Sequence, residues 1–103
     1  MMEIFNINLN ISWDAPQEVW DKINELYCEM PNYKGLINGC PVWYGDDERI
    51  IEASVEPSGL QFYAKLPKKE WENWIKIFKD KATILLGYEI GEPEDGFEFY
   101  DYE

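Results

Sequence analysis

The 103-residue chain contains no histidine. That absence removes Ser-His-Asp and Cys-His nucleophilic sets, the usual imidazole general base and most zinc or copper ligand sets. Cysteine is scarce as well. Cys28 and Cys40 are too few and too irregularly placed for a disulfide framework or a zinc knuckle, so both are expected to be reduced packing residues. Bases are in the minority, with 9 Lys and Arg against 21 Asp and Glu and a formal net charge of −12. Such a chain is repelled at long range by phosphate backbones and anionic lipid, so neither direct nucleic-acid binding nor a membrane surface is expected. No run approaches the length of a membrane span, and the chain opens without a basic stretch followed by an apolar one; the expected location is cytoplasmic. Without a secretion signal, the sequon at Asn10-Ile11-Ser12 is read as chance. The 7 glycines lack G-x-G-x-x-G or P-loop spacing, so nothing cradles a phosphate and no cofactor is expected.

What is present is ample apolar material: 46% hydrophobic residues, among them 5 Trp, 7 Tyr and 5 Phe. The length suits one domain over residues 1–103. From Glu3 to Ser12, Phe5, Ile7, Leu9 and Ile11 alternate with Asn6, Asn8, Asn10 and Ser12, the period-two signature of a half-buried strand. Asp14 as a cap, Pro16 in the first turn and Val19, Ile23, Leu26, Tyr27 and Met30 at helical spacing predict a helix from about 15 to 30, stopped by Pro31. Asn32 to Pro41 has two glycines, a proline and no clean period, and reads as a loop whose Tyr33, Leu36 and Ile37 tuck against the core.

Three strands follow, Val42–Tyr44, Arg49–Val55 and Leu60–Leu66, separated by turns at Gly45-Asp46-Asp47 and Glu56-Pro57-Ser58-Gly59. Pro67 opens a second helix with Trp71, Trp74, Ile75, Phe78, Ala82, Leu85 and Leu86 on one face and Gly87 as its C-terminal cap. That stripe reads as core rather than as a sugar platform, whereas Trp13, Trp20 and Trp43 lie off the main stripes, and any of them left exposed is a candidate anchor. Alternation from Phe97 to Tyr102 predicts a last strand. The resulting order is β-α-β-β-β-α-β. It predicts an α+β fold in which a mainly antiparallel sheet of about five strands carries both helices on one face. Phe97 and Phe99 then face the helices, and Asn10, Glu52, Tyr63, Glu98 and Tyr100 face the other way.

Charge is segregated along the chain. Six of the nine bases fall in residues 65–81, and the lysines there read as a solvated helix face. From Glu89 to Glu103 there are seven acids and no base, interleaved with Phe97, Phe99, Tyr100 and Tyr102. Carboxylates steer a basic partner and pair with its Arg and Lys, while tyrosines supply rigid contact area with little rotamer entropy to lose. The candidate partner-binding residues are therefore Asp46, Asp47, Glu52, Tyr63, Glu92, Glu94, Asp95, Glu98, Tyr100 and Asp101. Neither acidic turn has EF-hand spacing, and so short a chain has little material for a cleft that raises one carboxyl pKa. No metal and no catalytic residue is expected.

With Glu70-Trp71-Glu72-Asn73-Trp74 and Leu86-Gly87-Tyr88-Glu89-Ile90-Gly91-Glu92-Pro93 in a small acidic α+β chain, the sequence resembles the immunity proteins of bacterial polymorphic-toxin and contact-dependent growth inhibition systems. The resemblance is one of type and carries over no individual residue. It implies a non-enzymatic inhibitor that binds a cognate toxin domain, often a basic nuclease, and blocks its active site or substrate groove. Two other readings stand beside it: a self-associating accessory or scaffold domain, and an acidic mimic of nucleic acid. The sequence leaves the oligomeric state open.

Overall fold

The computed structural model describes residues 1–46 and 48–102. Its elements are β1 (Met2–Leu9), α1 (Gln17–Glu29), β2 (Tyr33–Ile37), β3 (Cys40–Trp43), β4 (Ile50–Glu56), β5 (Gly59–Pro67) and α2 (Lys68–Leu86), with a single 3-10 turn at Pro93–Asp95. The five strands form one antiparallel sheet in the order β1-β5-β4-β3-β2, with the two helices packed against each other and the sheet. The expected α+β architecture holds. Its element order differs in two places.

The first difference is β2, in the segment expected to be a loop. Asn38 and Gly39 both have positive φ (54° and 82°) and join the paired residues Ile37 and Cys40. A two-residue turn with both φ positive matches strand twist and favours Asn-Gly. A register shift between Tyr33 and Gly35 interrupts the apolar alternation, and β2 is an edge strand with Leu36 and Ile37 exposed rather than tucked inward. The second difference is the stretch 97–102, which pairs with no strand. Its aromatic rings act individually: Phe97 lies so close to Gly91 that a Cβ there would collide with the ring, and Phe99 lies against Gly59, where a Cβ would collide with the Leu9 carbonyl and press on the Phe99 ring.

Both helices begin at a proline rather than at a side-chain cap. Pro16 and Pro67, with φ of −57° and ψ of 153° and 141°, are extended residues directly before the first helical turn, and neither has a backbone N–H that would need a partner there. Asp14 does not cap α1 but accepts a hydrogen bond from the Ser12 hydroxyl. At the other end of α2, Gly87 takes the left-handed conformation (φ 82°) and donates to the Thr83 carbonyl at 2.9 Å, as expected of a C-terminal cap. The periodic faces of both helices meet the sheet over an aromatic interior of Tyr27, Trp43, Phe62, Trp74 and Phe78. Trp43 is fully buried, and its indole N–H donates to the Tyr27 carbonyl at 3.0 Å. Trp20 is half-buried and Trp13 is exposed. Cys28 and Cys40 are free thiols; Cys28 is exposed and therefore not the packing residue expected. Among the described residues no helix is long and apolar enough to cross a membrane.

Candidate functional site

The C-terminal stretch after α2 has almost no regular structure, yet one residue far away in sequence holds it. Asn10 directly follows β1 and is 1% exposed, not on the outer sheet face as alternation predicts. Its side-chain NH2 donates to the carbonyls of Glu89 (3.0 Å) and Glu98 (2.7 Å), and its side-chain oxygen accepts from the Gly91 N–H (2.9 Å). The Asn10 N–H donates to the Gly91 carbonyl at 3.0 Å, and the Tyr88 hydroxyl donates to the Asn10 carbonyl at 3.2 Å. A carboxamide offers donors and an acceptor together, so it can satisfy buried backbone groups of both kinds. Thr83 adds a hydroxyl that accepts from the Ile90 N–H at 3.0 Å, and Lys79 pairs with Glu92 at 3.6 Å. A helix lysine expected only to be solvated thus ties the tail to α2.

Three tyrosines close the end of this segment. Tyr88 stacks on Tyr100 (centroids 5.1 Å apart), Tyr100 meets Tyr102 edge-on (4.9 Å), and the hydroxyls of Tyr88 and Tyr102 are 2.9 Å apart. Since the Tyr88 proton goes to Asn10, Tyr102 donates to Tyr88. Burial, then the bond to Tyr102, raises the Tyr88 pKa above the usual phenol value. One face of Tyr100 is consequently supported while 53% of the residue stays exposed.

The expected site residues fall into separate groups. Glu94, Asp95, Glu98, Tyr100 and Asp101 are exposed on the pinned tail, and Glu92 is partly covered by its pairing with Lys79. Glu92 and Glu94 share a small cleft with Asn6 and Asn8; Asn6 pairs with Tyr63, and Tyr63 with Glu52. Tyr63 and Glu52 therefore continue the tail surface across the sheet face away from the helices, as alternation predicts. Asp46 does not join them. Its turn adjoins the β4 start, where Ile50 pairs with Lys65 near the end of β5, whereas the tail meets the opposite end at Leu9 and Gly59. Asp47 lies outside the described residues.

The Asp46 carboxylate is also occupied locally, accepting from the backbone N–H groups of Arg49 and Glu48. The bond from Arg49, then that from Glu48, holds its pKa below the usual carboxylate value. A folded pKa below the unfolded one means a stabilising contribution complete above the unfolded range, about pH 4, and lost as pH falls through the folded value. The melting-temperature gap between the parent and Asp46→Ala should therefore shrink on acidification from about pH 6 to about pH 2, while Asp46→Asn, which keeps an acceptor, stays near the parent at pH 6. A gap that does not vary with pH contradicts this role. Arg49 further ties the turn to Glu70 of α2 at 3.1 Å, a half-exposed pair worth less than about 1 kcal/mol.

An open groove of about 850 Å³ lies between α2 and the tail, lined by Phe5, Ile7, Lys79, Glu89 and Glu92 among others. Among the described residues no three Cys, Asp or Glu side chains converge as a metal site. Sequence reasoning missed Asn10 as the tail anchor and passed over Gly91, whose buried backbone the tail needs at close approach. Matched against protein-family models, curated proteins and solved structures, the chain finds no counterpart in any of them.

Proposed function

We propose that this chain is a non-enzymatic inhibitor of the immunity-protein type, which binds and neutralises a basic toxin domain through its acidic, tyrosine-bearing tail surface. The supporting observation is the anchoring of that tail. Asn10 and the tyrosine trio fix the backbone from Glu89 to Glu98, so the carboxylates are arranged before a partner arrives and less ordering entropy is lost on binding. The groove of a nuclease is cationic, and a preorganised anionic surface complements it and accelerates encounter.

The test uses the protein encoded by the gene adjacent to this one, since an inhibitor and its target are made together. Co-expression of the unaltered chain should protect cells from that protein. Replacing Glu94, Asp95 and Glu98 with their amides should lower the association rate about tenfold at low salt, with the difference largely gone at high ionic strength. Undiminished protection and an unchanged rate with these amides would sink the reading.

A further inference from the structure

Several large apolar side chains are left in water at one end of the molecule. Trp13 is 59% exposed in the loop after β1, Phe99 is 43% exposed beside Gly59, and Val55 and Leu36 are exposed near the ends of β4 and β2. The paired row Leu9–Leu60–Val55 marks that end of the sheet, and β2 runs toward it into the Asn38-Gly39 turn. There a cleft of about 510 Å³ opens between α1 and the β2–β4 strands, lined by Trp20, Tyr27, Leu36, Pro41 and Val55 among others. Exposed apolar side chains at the same end as a cleft, with carboxylates around them, are characteristic of interaction sites, and tryptophan is enriched among their anchors.

The charges name the partner. The stretches that build this end and line its cleft, 9–27, 36–41, 53–61 and 87–102, contain one base, Lys22, against Asp14, Glu18, Asp21, Glu25, Glu56 and the tail carboxylates. We infer that this end is the docking surface for a basic protein segment that inserts an apolar side chain into the cleft, with Trp13 and Phe99 as the anchors on this chain. The inference rests on the inhibitor reading and deepens it: the carboxylates steer, and the apolar anchors hold. A second copy is a poorer occupant, because docking by the same end sets carboxylates against carboxylates with only Lys22 in these stretches to pair them.

Random twelve-residue peptides displayed on phage and selected on the immobilised full chain provide a probe that needs no known partner. Enriched peptides should combine Lys or Arg with a large apolar residue. They should bind about tenfold or more weakly to Trp13→Ala, the loss expected of an anchor, and equally well to Arg49→Ala at the opposite end. Trp13→Ala should melt within a few degrees of the parent, since the residue is exposed. Failure to enrich such peptides overturns the inference, as does binding that survives both Trp13→Ala and Phe99→Ala. So does a dimer of the chain that dissociates on Trp13→Ala, which assigns the surface to a second copy. The adjacent-gene protein separates the two readings. If the tail amides weaken its binding and Trp13→Ala does not, the anchors are refuted and the inhibitor reading stands. If the unaltered chain does not bind it, the inhibitor reading falls while the peptides still decide this surface.

Discussion

Replacing Asn10 with leucine is expected to lower the unfolding free energy by about 3–4 kcal/mol and to free the C-terminal segment from the sheet. Leucine has the same branched skeleton of heavy atoms as asparagine but no polar atom, so the carbonyls of Glu89 and Glu98 and the N–H of Gly91 lose their partners at once. Leaving those groups dry is worse than letting the segment swing into water. Swinging out in turn exposes Ile90, whose burial alone is worth roughly 1.5–3 kcal/mol, and unseats the rings of Phe97 and Phe99. Urea unfolding measures the loss, and hydrogen exchange at Ile90 and Gly91 locates it; a change below about 1 kcal/mol with both amides still protected contradicts the anchor. Asn10→Asp should behave differently with pH. A carboxylate there faces two carbonyl oxygens, so its folded pKa lies above the unfolded value near 4; the variant is most stable below that value and loses stability as pH rises through the folded one. Both variants should also weaken partner binding, because the carboxylates then have to be ordered during association.

Much of the scaffold is visible in local pattern, since β1, β4 as far as Ala53, β5 and the buried stripes of both helices follow an apolar period that matches their burial, whereas Val55 at the end of β4 breaks it. β2 carries the opposite pattern, with its large apolar side chains in water, and only the Asn38-Gly39 pair announces the hairpin. The alternation of Phe97 and Phe99 is real but serves two separate close approaches to glycine, which a period count reads as a strand. The tail site is less legible still. Its anchor is separated from its partners Glu89 and Glu98 by 79 and 88 residues, and nothing around Asn10 distinguishes it from Asn6 and Asn8, which stay on the outer face. Acidity and tyrosine content could be read from composition; which acids share a surface depended on strand pairing, and pairing separates Asp46 from the tail.

Trp43→Ala should be the most destabilising single truncation of the core, by about 3–5 kcal/mol, against a total stability of about 5–15 kcal/mol for a domain of this kind. The indole is fully buried and contacts Tyr27, Tyr33, Phe62 and Trp74, with centroid distances from 5.0 to 6.1 Å. Removing it opens a cavity that these rings can fill only in part, because Tyr27, Phe62 and Trp74 are themselves packed against Phe78. It also strips the Tyr27 carbonyl of its indole donor. Trp43→Phe should cost less, because it keeps an aromatic ring and loses chiefly the hydrogen bond and the second ring. The comparison with Trp13 gives the prediction its functional content. If the core only supports the docking end, Trp43→Ala should depress the melting temperature by more than ten degrees yet leave the peptide affinity of the folded fraction unchanged, whereas Trp13→Ala does the reverse. Melting curves and binding isotherms on the two variants read both effects, and a Trp43 variant that binds poorly while still folded would mean that the core and the surface are coupled.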